Sequence, residues 1–288
     1  MSIVQKGERE FEFTDADFER VRKLIYAHAG IALAPIKRDM VYSRLVRRLR
    51  ALNLPSFVQY LNMLEKGDEK EWELFVNSLT TNLTYFFREA HHFDVLAQHM
   101  KASKHRPYRI WCSAASTGEE PYSLAMTACE AFNTLSPPVS IIASDIDTNV
   151  LNTARQGVYG IDRTEKLSPS RLQQFFLKGT GNREGFARIR PELQALISYQ
   201  RVNLLDARYP GVDGPFDALF CRNVMIYFDK PTQYAILKKF KPLLKSDGLL
   251  FAGHSESFLH AADLFHSLGK TVYQHADKKG VMGRPSDA

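Results

Sequence analysis

Cysteine is scarce: Cys112, Cys129 and Cys221 are the three in 288 residues, an odd number set among apolar neighbours. That excludes a disulfide framework, and without paired spacing it excludes a zinc site. The three read as buried, reduced thiols of a cytoplasmic protein. No apolar run approaches the roughly 20 residues that cross a bilayer. The opening MSIVQKGEREFEF carries charge where an export signal needs an apolar core. Nine histidines show no ligand spacing, so no metal is expected, and the adjacent His91 and His92 read as surface or capping residues. Nothing reads G-x-x-x-x-G-K-[ST], the phosphate loop of nucleotide hydrolases. Helix-turn-helix spacing, zinc knuckles and aromatic-basic interleaving are missing, which argues against nucleic acid. So is the Asn/Asp-Pro-Pro-Tyr/Phe motif of exocyclic-amine methylation, and so is any Ser-His-Asp or Cys-His constellation.

What remains is an ordinary globular composition, 44% hydrophobic and 24% charged, with a net charge of +6 that suits an acidic partner. The chain is organised around Arg109 to Met126. A short apolar strand (Ile110, Trp111, Cys112) runs into five small residues and Gly118, and then a helix begins with Glu119, Glu120 and Pro121. Ser116-x-x-Glu119 and Thr117-x-x-Glu120 both fit a capping box. A strand, a small-residue loop and a helix form the unit of an α/β sheet that lets a ligand approach backbone. Phosphate sites use the positive helix end for anions; two carboxylates there would repel a pyrophosphate. They suit a cationic nucleoside without phosphate, such as S-adenosylmethionine. The plainer alternative is that both glutamates only complement the helix dipole.

Residues 1–90 read as an all-helical domain. Helices are expected at Asp15–Ala29, Lys37–Leu52, Ser56–Lys66 and Asp68–Leu79, from apolar residues at helical spacing. Arg44, Arg47 and Arg48 form a basic stripe at i, i+3, i+4. It is either a solvated face or a docking face for an acidic helical partner, with nucleic acid a third option. Asn82, Thr84, the trio Tyr85-Phe86-Phe87 and Arg88 read as a junction that is both polar and aromatic, suited to a cleft wall, or else as a capped helix start plus a core plug. From Arg109 strands alternate with helices, giving an α/β domain over residues 91–288. Strand two ends in Asp145-Ile-Asp147, where a carboxylate can grip a ribose diol. Strand-like pieces at Phe175–Lys178, Phe186–Arg190 and Ala195–Tyr199 read as a small antiparallel meander inserted at about residues 168–200. Its edge would admit an acidic peptide beside Arg183, Arg188 and Arg190, or be merely guarded by those charges. Further strands are expected near Val202–Asp206, Phe216–Cys221, Leu249–Ala252 and Thr271–His275, with a helix from Pro231 to Leu244. The Gly/Pro/Ser-rich tail from Lys278 reads as frayed.

Ser113-Ala-Ala-Ser-Thr-Gly-Glu-Glu-Pro-Tyr-Ser123, the Asn82-x-Thr84-x-x-x-Arg88 junction, Asp145-x-Asp147 and Cys221-Arg-Asn-Val-Met-Ile-Tyr-Phe228 together resemble the CheR family of chemoreceptor glutamate O-methyltransferases. The resemblance covers nearly the whole chain and looks close to the receptor-tethered branch. One departure is Ala114-Ala115, where other methyltransferases prefer G-x-G. The resemblance implies a class I, Rossmann-like S-adenosylmethionine-dependent methyltransferase core with a helical amino-terminal domain and an inserted β-subdomain. It implies that the donor, and its product S-adenosylhomocysteine, contact Asn82, Thr84, Arg88, Ala115, Glu119, Asp145, Asn203, Leu204, Arg222 and Asn223. Arg88 and Tyr227 would face the incoming glutamate. The basic face of Arg44, Arg47 and Arg48 would meet acidic receptor helices, and the inserted sheet would take a receptor's carboxyl-terminal peptide. A cytoplasmic monomer that neither enters the membrane nor binds nucleic acid is expected.

Overall fold

The computed structural model describes residues 9–80, 82–104 and 106–278. The opening eight residues and the tail beyond Lys278 lie outside them. The chain divides into two compact units, Met1–Thr81 and Asn82–Ala288.

The first unit is four helices: α1 Asp15–Ala29, α2 Arg38–Ala51, α3 Phe57–Glu65 and α4 Glu69–Leu79. Three of them begin where a side chain satisfies open N–H groups of the helix start, and α2 instead follows directly on a single helical turn, Pro35–Lys37, without a side-chain cap. Thr14 and Asp17 close a reciprocal capping box on α1, and Ser56 and Asp68 cap α3 and α4. Gly30 ends α1 in the left-handed region, at φ 69°. Val21, Ile25, Val41, Leu45, Leu49, Tyr60, Leu61 and Phe75 are fully buried. The arginine stripe is partly consumed here. Arg48 forks onto the buried Glu71 at 2.9 and 2.7 Å, and Tyr60 also donates to that carboxylate. Arg44 donates to the carbonyls of Ser78 and Thr80 at the end of α4. Arg47 is exposed.

The second unit is a three-layer α/β domain. In chain order its main elements are α5 His91–Ala102, β1 Tyr108–Cys112, α6 Glu119–Phe132, β2 Val139–Asp145, α7 Thr148–Gln156, β3 Val158–Gly160, α8 Ile161–Thr164, α9 Pro169–Phe175, β4 Phe176–Lys178, β5 Phe186–Ile189, α10 Pro191–Gln194, β6 Ile197–Arg201, β7 Phe216–Cys221, α11 Lys230–Phe240, β8 Leu244–Ala252, β9 Phe265–Gly269 and β10 Val272–His275. The large sheet has the order β6-β2-β1-β7-β8-β10-β9. Its first five strands are parallel, and β10 runs antiparallel to both neighbours. Residues alternate between two apolar layers: Ile110 and Cys112 face one with α5 and α6, Trp111 the other with α11. Strand order reverses at β1, whose neighbours are β2 and β7, so a crevice opens at the carboxyl end of β1.

Several expectations need correction, among them the strand near Val202–Asp206, which is irregular chain and turn after β6. Ala195–Tyr199 does not belong to the meander: β6 pairs in parallel with β2. The small sheet is β3-β5-β4, with Val158–Gly160 as its third strand. An edge strand of the main sheet is covered unevenly, so β6 reads like a strand of a small solvated sheet. The helix expected to reach Leu244 ends at Phe240, and Asp247-Gly248 fall inside β8, where the register slips between Phe216↔Leu244 and Ala218↔Leu249. Strand β9 gave no signal because its hairpin turn uses Lys270 and Thr271 at φ 50° and 56° rather than an Asn-Gly pair. His92 is fully buried, its Nε2 donating to the Lys270 carbonyl and lying 3.1 Å from the Thr271 hydroxyl.

Candidate functional site

The loop between β1 and α6 is set by its backbone. Ser113 and Ala115 N–H groups bond to the carbonyls of Phe220 and Ser144, tying the loop to β7 and β2. Ser116 and Gly118 take φ of 48° and 100°. A Cβ on Gly118 would lie 2.7 Å from the Tyr159 hydroxyl and 3.0 Å from Ala154 Cα, so only glycine fits between the loop and α7. The expected capping box does not form. Gly118 is the N-cap and makes no side-chain cap. The Ser116 hydroxyl turns to the Asn82 carbonyl (3.1 Å), and the Thr117 hydroxyl donates to the Glu119 carboxylate (2.7 Å). The positive φ at Gly118 aims the preceding side chains away from the helix start.

Asp145 ends β2. Its two oxygens accept the backbone N–H groups of Ser116 (2.8 Å) and Asp147 (3.0 Å). Burial pushes its carboxyl up to about 6 while those bonds pull it down. Asp147 caps α7 and accepts the Asn82 amide at 2.9 Å. The segment 82–89 therefore starts at the tips of β1 and β2. Phe86 plugs it into the core against Tyr159 and Phe176. Phe87 N–H donates to the Ser123 hydroxyl, and Phe87 and Glu89 take φ of 55° and 58°. The segment ends at β7 and β8, where the Arg88 carbonyl accepts from Arg222 and the Glu89 carboxylate accepts the N–H of His254. These eight residues form a strap across the carboxyl ends of four strands.

Arg222 follows β7 with a fully buried side chain, held between Glu120 (2.9 Å) and Glu89 (3.1 Å). Burial raises the Glu120 carboxyl against the pull of Arg222. On Glu89 burial is outweighed by Arg222, the His254 N–H and the Asn223 amide, which together lower it. Burial, with the Arg222 charge behind it, brings the His92 imidazole down to about 4. Asn223 takes φ 58°, and its backbone N–H donates to Glu256, which also accepts from Met225 and Gly253. A side chain on Gly253 would collide with Asn223.

The sequence-predicted residues separate into groups. Asn82, Ala115, Asp145, Arg222 and Asn223 stand at or beside the strand tips, with Arg88 and the half-buried Thr84 on the strap. Arg88 reaches back to the Leu83 carbonyl at 3.0 Å. Asn203 and the buried Leu204 lie on the turn after β6, whose Val202 N–H bonds to the Asp145 carbonyl. Lys239 pins that turn through the carbonyls of Leu204 (2.6 Å) and Asp206 (2.8 Å). Tyr227 is half-buried in the single helical turn Met225–Tyr227 after β7. Glu119 is fully buried with its carboxylate on Thr117 and Arg163. Glu89, Glu256 and Lys239 were missed. Only Glu89, beside Arg88, had a neighbour to draw attention, and nothing local tells that its partner lies past residue 220.

No group of three His, Cys, Asp or Glu side chains among the described residues is arranged to hold a metal. The donor set is carboxylates and amides around a loop that admits backbone approach, with two glutamates at the helix start, Glu119 paired with Arg163 and Glu120 with Arg222. Such a loop, with the Asp145 carboxylate at the neighbouring strand tip, fits a nucleoside. The fold and crevice thus define an S-adenosylmethionine-dependent methyltransferase core. Two family models agree: the CheR methyltransferase SAM binding domain matches residues 82–274, and the CheR methyltransferase all-alpha domain matches residues 16–80. The chain belongs to the CheR methyltransferase family. It is 54% identical over 273 residues to the "Chemotaxis protein methyltransferase" of Salmonella typhimurium, covering 94% of each chain. It is 54% identical over 272 residues to that of Escherichia coli, again 94% of each. It is 53% identical over 272 residues to "Chemotaxis protein methyltransferase 2" of Pseudomonas aeruginosa, 94% of this chain and 96% of the other.

Proposed function

We propose that this chain methylates glutamate side chains of membrane chemoreceptors, forming methyl esters in chemotactic adaptation. The carrying observation is the near full-length match to relatives named chemotaxis protein methyltransferase. S-adenosylmethionine supplies an activated methyl group on a sulfonium. Asp145 accepts from hydroxyls at the tip of β2, and Glu119 stands at the head of α6 beside its partner Arg163. Asn82, Thr84 and Ala115 line one side, Asn203 and Leu204 the nucleoside end, and Arg222 and Asn223 the far wall.

A glutamate carboxyl has an ordinary pKa of about 4.3, so the nucleophile is ionised at neutral pH and needs no general base. The work left to the protein is placement. Arg88 orients the carboxylate through its guanidinium fork. Its hold must stay moderate, because the carboxylate loses charge as the ester forms. Tyr227 donates to the second oxygen.

The exposed Arg47 is the member of the basic stripe that can meet an acidic receptor helix directly. Arg44 and Arg48 already serve the helical unit. The small sheet has β3 and β4 as edges and carries the exposed Arg183 and Arg188, which suits an acidic carboxyl-terminal peptide of a receptor. No described helix is long and apolar enough to cross a membrane. The protein is proposed to act as a monomer from the cytoplasmic side. The test is transfer of labelled methyl from S-adenosylmethionine to chemoreceptor-bearing membranes. Label released by mild alkali supports an ester; alkali-stable label, or none, refutes the reading.

A further inference from the structure

The strap holds one carboxylate that the reaction does not use. The Glu89 side chain is 7% exposed and its backbone is left-handed, at φ 58°. One oxygen accepts the His254 N–H at 3.1 Å and faces the Asn223 amide at 3.4 Å. The other meets Arg222 Nη2 at 3.1 Å and lies 3.6 Å from His92 Nδ1. Arg222 in turn donates to the carbonyl of Arg88. The neighbours of Glu89 are thus two donors on one side and, on the other, the cation that grips the backbone of Arg88.

We infer that Glu89 is a positioning residue for methyl transfer: by holding Arg222 against the Arg88 carbonyl, it fixes where the strap presents Arg88 to the acceptor carboxylate. The inference rests on the reading above, in which Arg88 orients the acceptor. A left-handed, non-glycine residue directly after Arg88 is strained and needs its surroundings to hold it. Arg222, Asn223 and His254 supply that hold through one side chain.

Only a carboxylate can accept on both sides. In Glu89→Gln the amide oxygen can keep His254 and Asn223, and the NH2 then points at Arg222, donor against donor. The same NH2 can donate to His92 Nδ1, a buried atom without a hydrogen bond. The substitution therefore leaves Arg222 held by Glu120 alone and loosens it against the strap, while giving the interior a replacement bond. Glu89→Asp keeps the charge but is one methylene short, and Asp tolerates the left-handed region.

The experiment compares wild type, Glu89→Gln and Glu89→Asp in three measurements: thermal midpoint, S-adenosylhomocysteine affinity by calorimetry, and kcat on chemoreceptor-bearing membranes at saturating donor. Glu89→Gln should lose about tenfold to a hundredfold in kcat. Its midpoint should stay within a few degrees and its product affinity within about threefold, the split expected when only transition-state placement is lost. Glu89→Asp should fall between the two, and it serves alone if Glu89→Gln does not fold. Unchanged kcat overturns the inference. So does a parallel fall of midpoint, affinity and kcat, which would make Glu89 a structural tie only. If wild type itself fails to take up S-adenosylhomocysteine, the proposed function fails instead.

Discussion

Replacing Gly118 with alanine adds one methyl group at the tightest point of the donor loop. Two costs follow. An L-residue at φ 100° carries strain of roughly 1–2 kcal/mol. The new Cβ would also stand 2.7 Å from the Tyr159 hydroxyl, 2.8 Å from Ala154 Cβ and 3.0 Å from Ala154 Cα. Tyr159 can swing away by giving up its 2.8 Å bond to the Thr117 carbonyl. The backbone of α7 cannot move as cheaply, and such overpacking costs about 1–3 kcal/mol. Together these give about 2–5 kcal/mol, a fall of roughly 5–15 °C in the melting midpoint for a unit of this size. Gly269→Ala separates the two costs: Gly269 has φ 93° but nothing within 4 Å of the added carbon. It should show the strain alone. S-adenosylhomocysteine titrations should weaken for Gly118→Ala and not for Gly269→Ala. Equal melting and equal binding in the two variants would refute the packing argument for this loop.

In the proposed role Asp145 has to be ionised to accept from two hydroxyls, and burial pushes its carboxyl up to about 6. S-adenosylhomocysteine affinity should therefore drop as pH falls through about 6; a flat calorimetric profile from pH 5 to 8 would contradict this. The same raised value means that the folded, ligand-free protein binds a proton more readily than the unfolded chain. This residue's contribution to stability thus declines as pH rises from about 4 to 6. In the helical unit, Arg48→Ala leaves Glu71 buried without its cation and should cost about 3 kcal/mol in denaturant unfolding, whereas Arg47→Ala, on the surface, should cost less than about 0.5 kcal/mol. Comparable losses would remove the distinction between an internal and an outward arginine. Arg88→Ala should lower methyl transfer on the order of 100-fold with an unchanged melting midpoint; wild-type turnover would refute its role.

The helices of the first unit were legible almost to the residue because apolar spacing, cap residues and a terminal glycine all point the same way at Asp15–Ala29. The strands β1 and β7 were equally plain, being short and mostly apolar, with β7 buried throughout and β1 at all but Arg109. Failures came where two structures share one local pattern. The edge strand β6 and a meander strand both read as half-covered, and only pairing distinguishes them. The Ser116 and Thr117 capping signals were real as spacing, but the left-handed Gly118 turns both side chains elsewhere. His92 looked like a surface residue because its partners, Lys270 and Thr271, lie nearly 180 positions away. In the site, Asp145 was visible from its place after a strand. The partnership of Glu89, Arg222 and Glu120 joins three segments, and no window of sequence contains it.

The strap has a consequence for how such proteins can be recombined. The roof over the strand tips is encoded immediately before α5, not within the alternating strands and helices. A hybrid joined at residue 90 would therefore carry a foreign roof on a native floor, with Arg222 and Asp147 missing their native counterparts. Joined before Asn82, the roof travels with the floor it was shaped for.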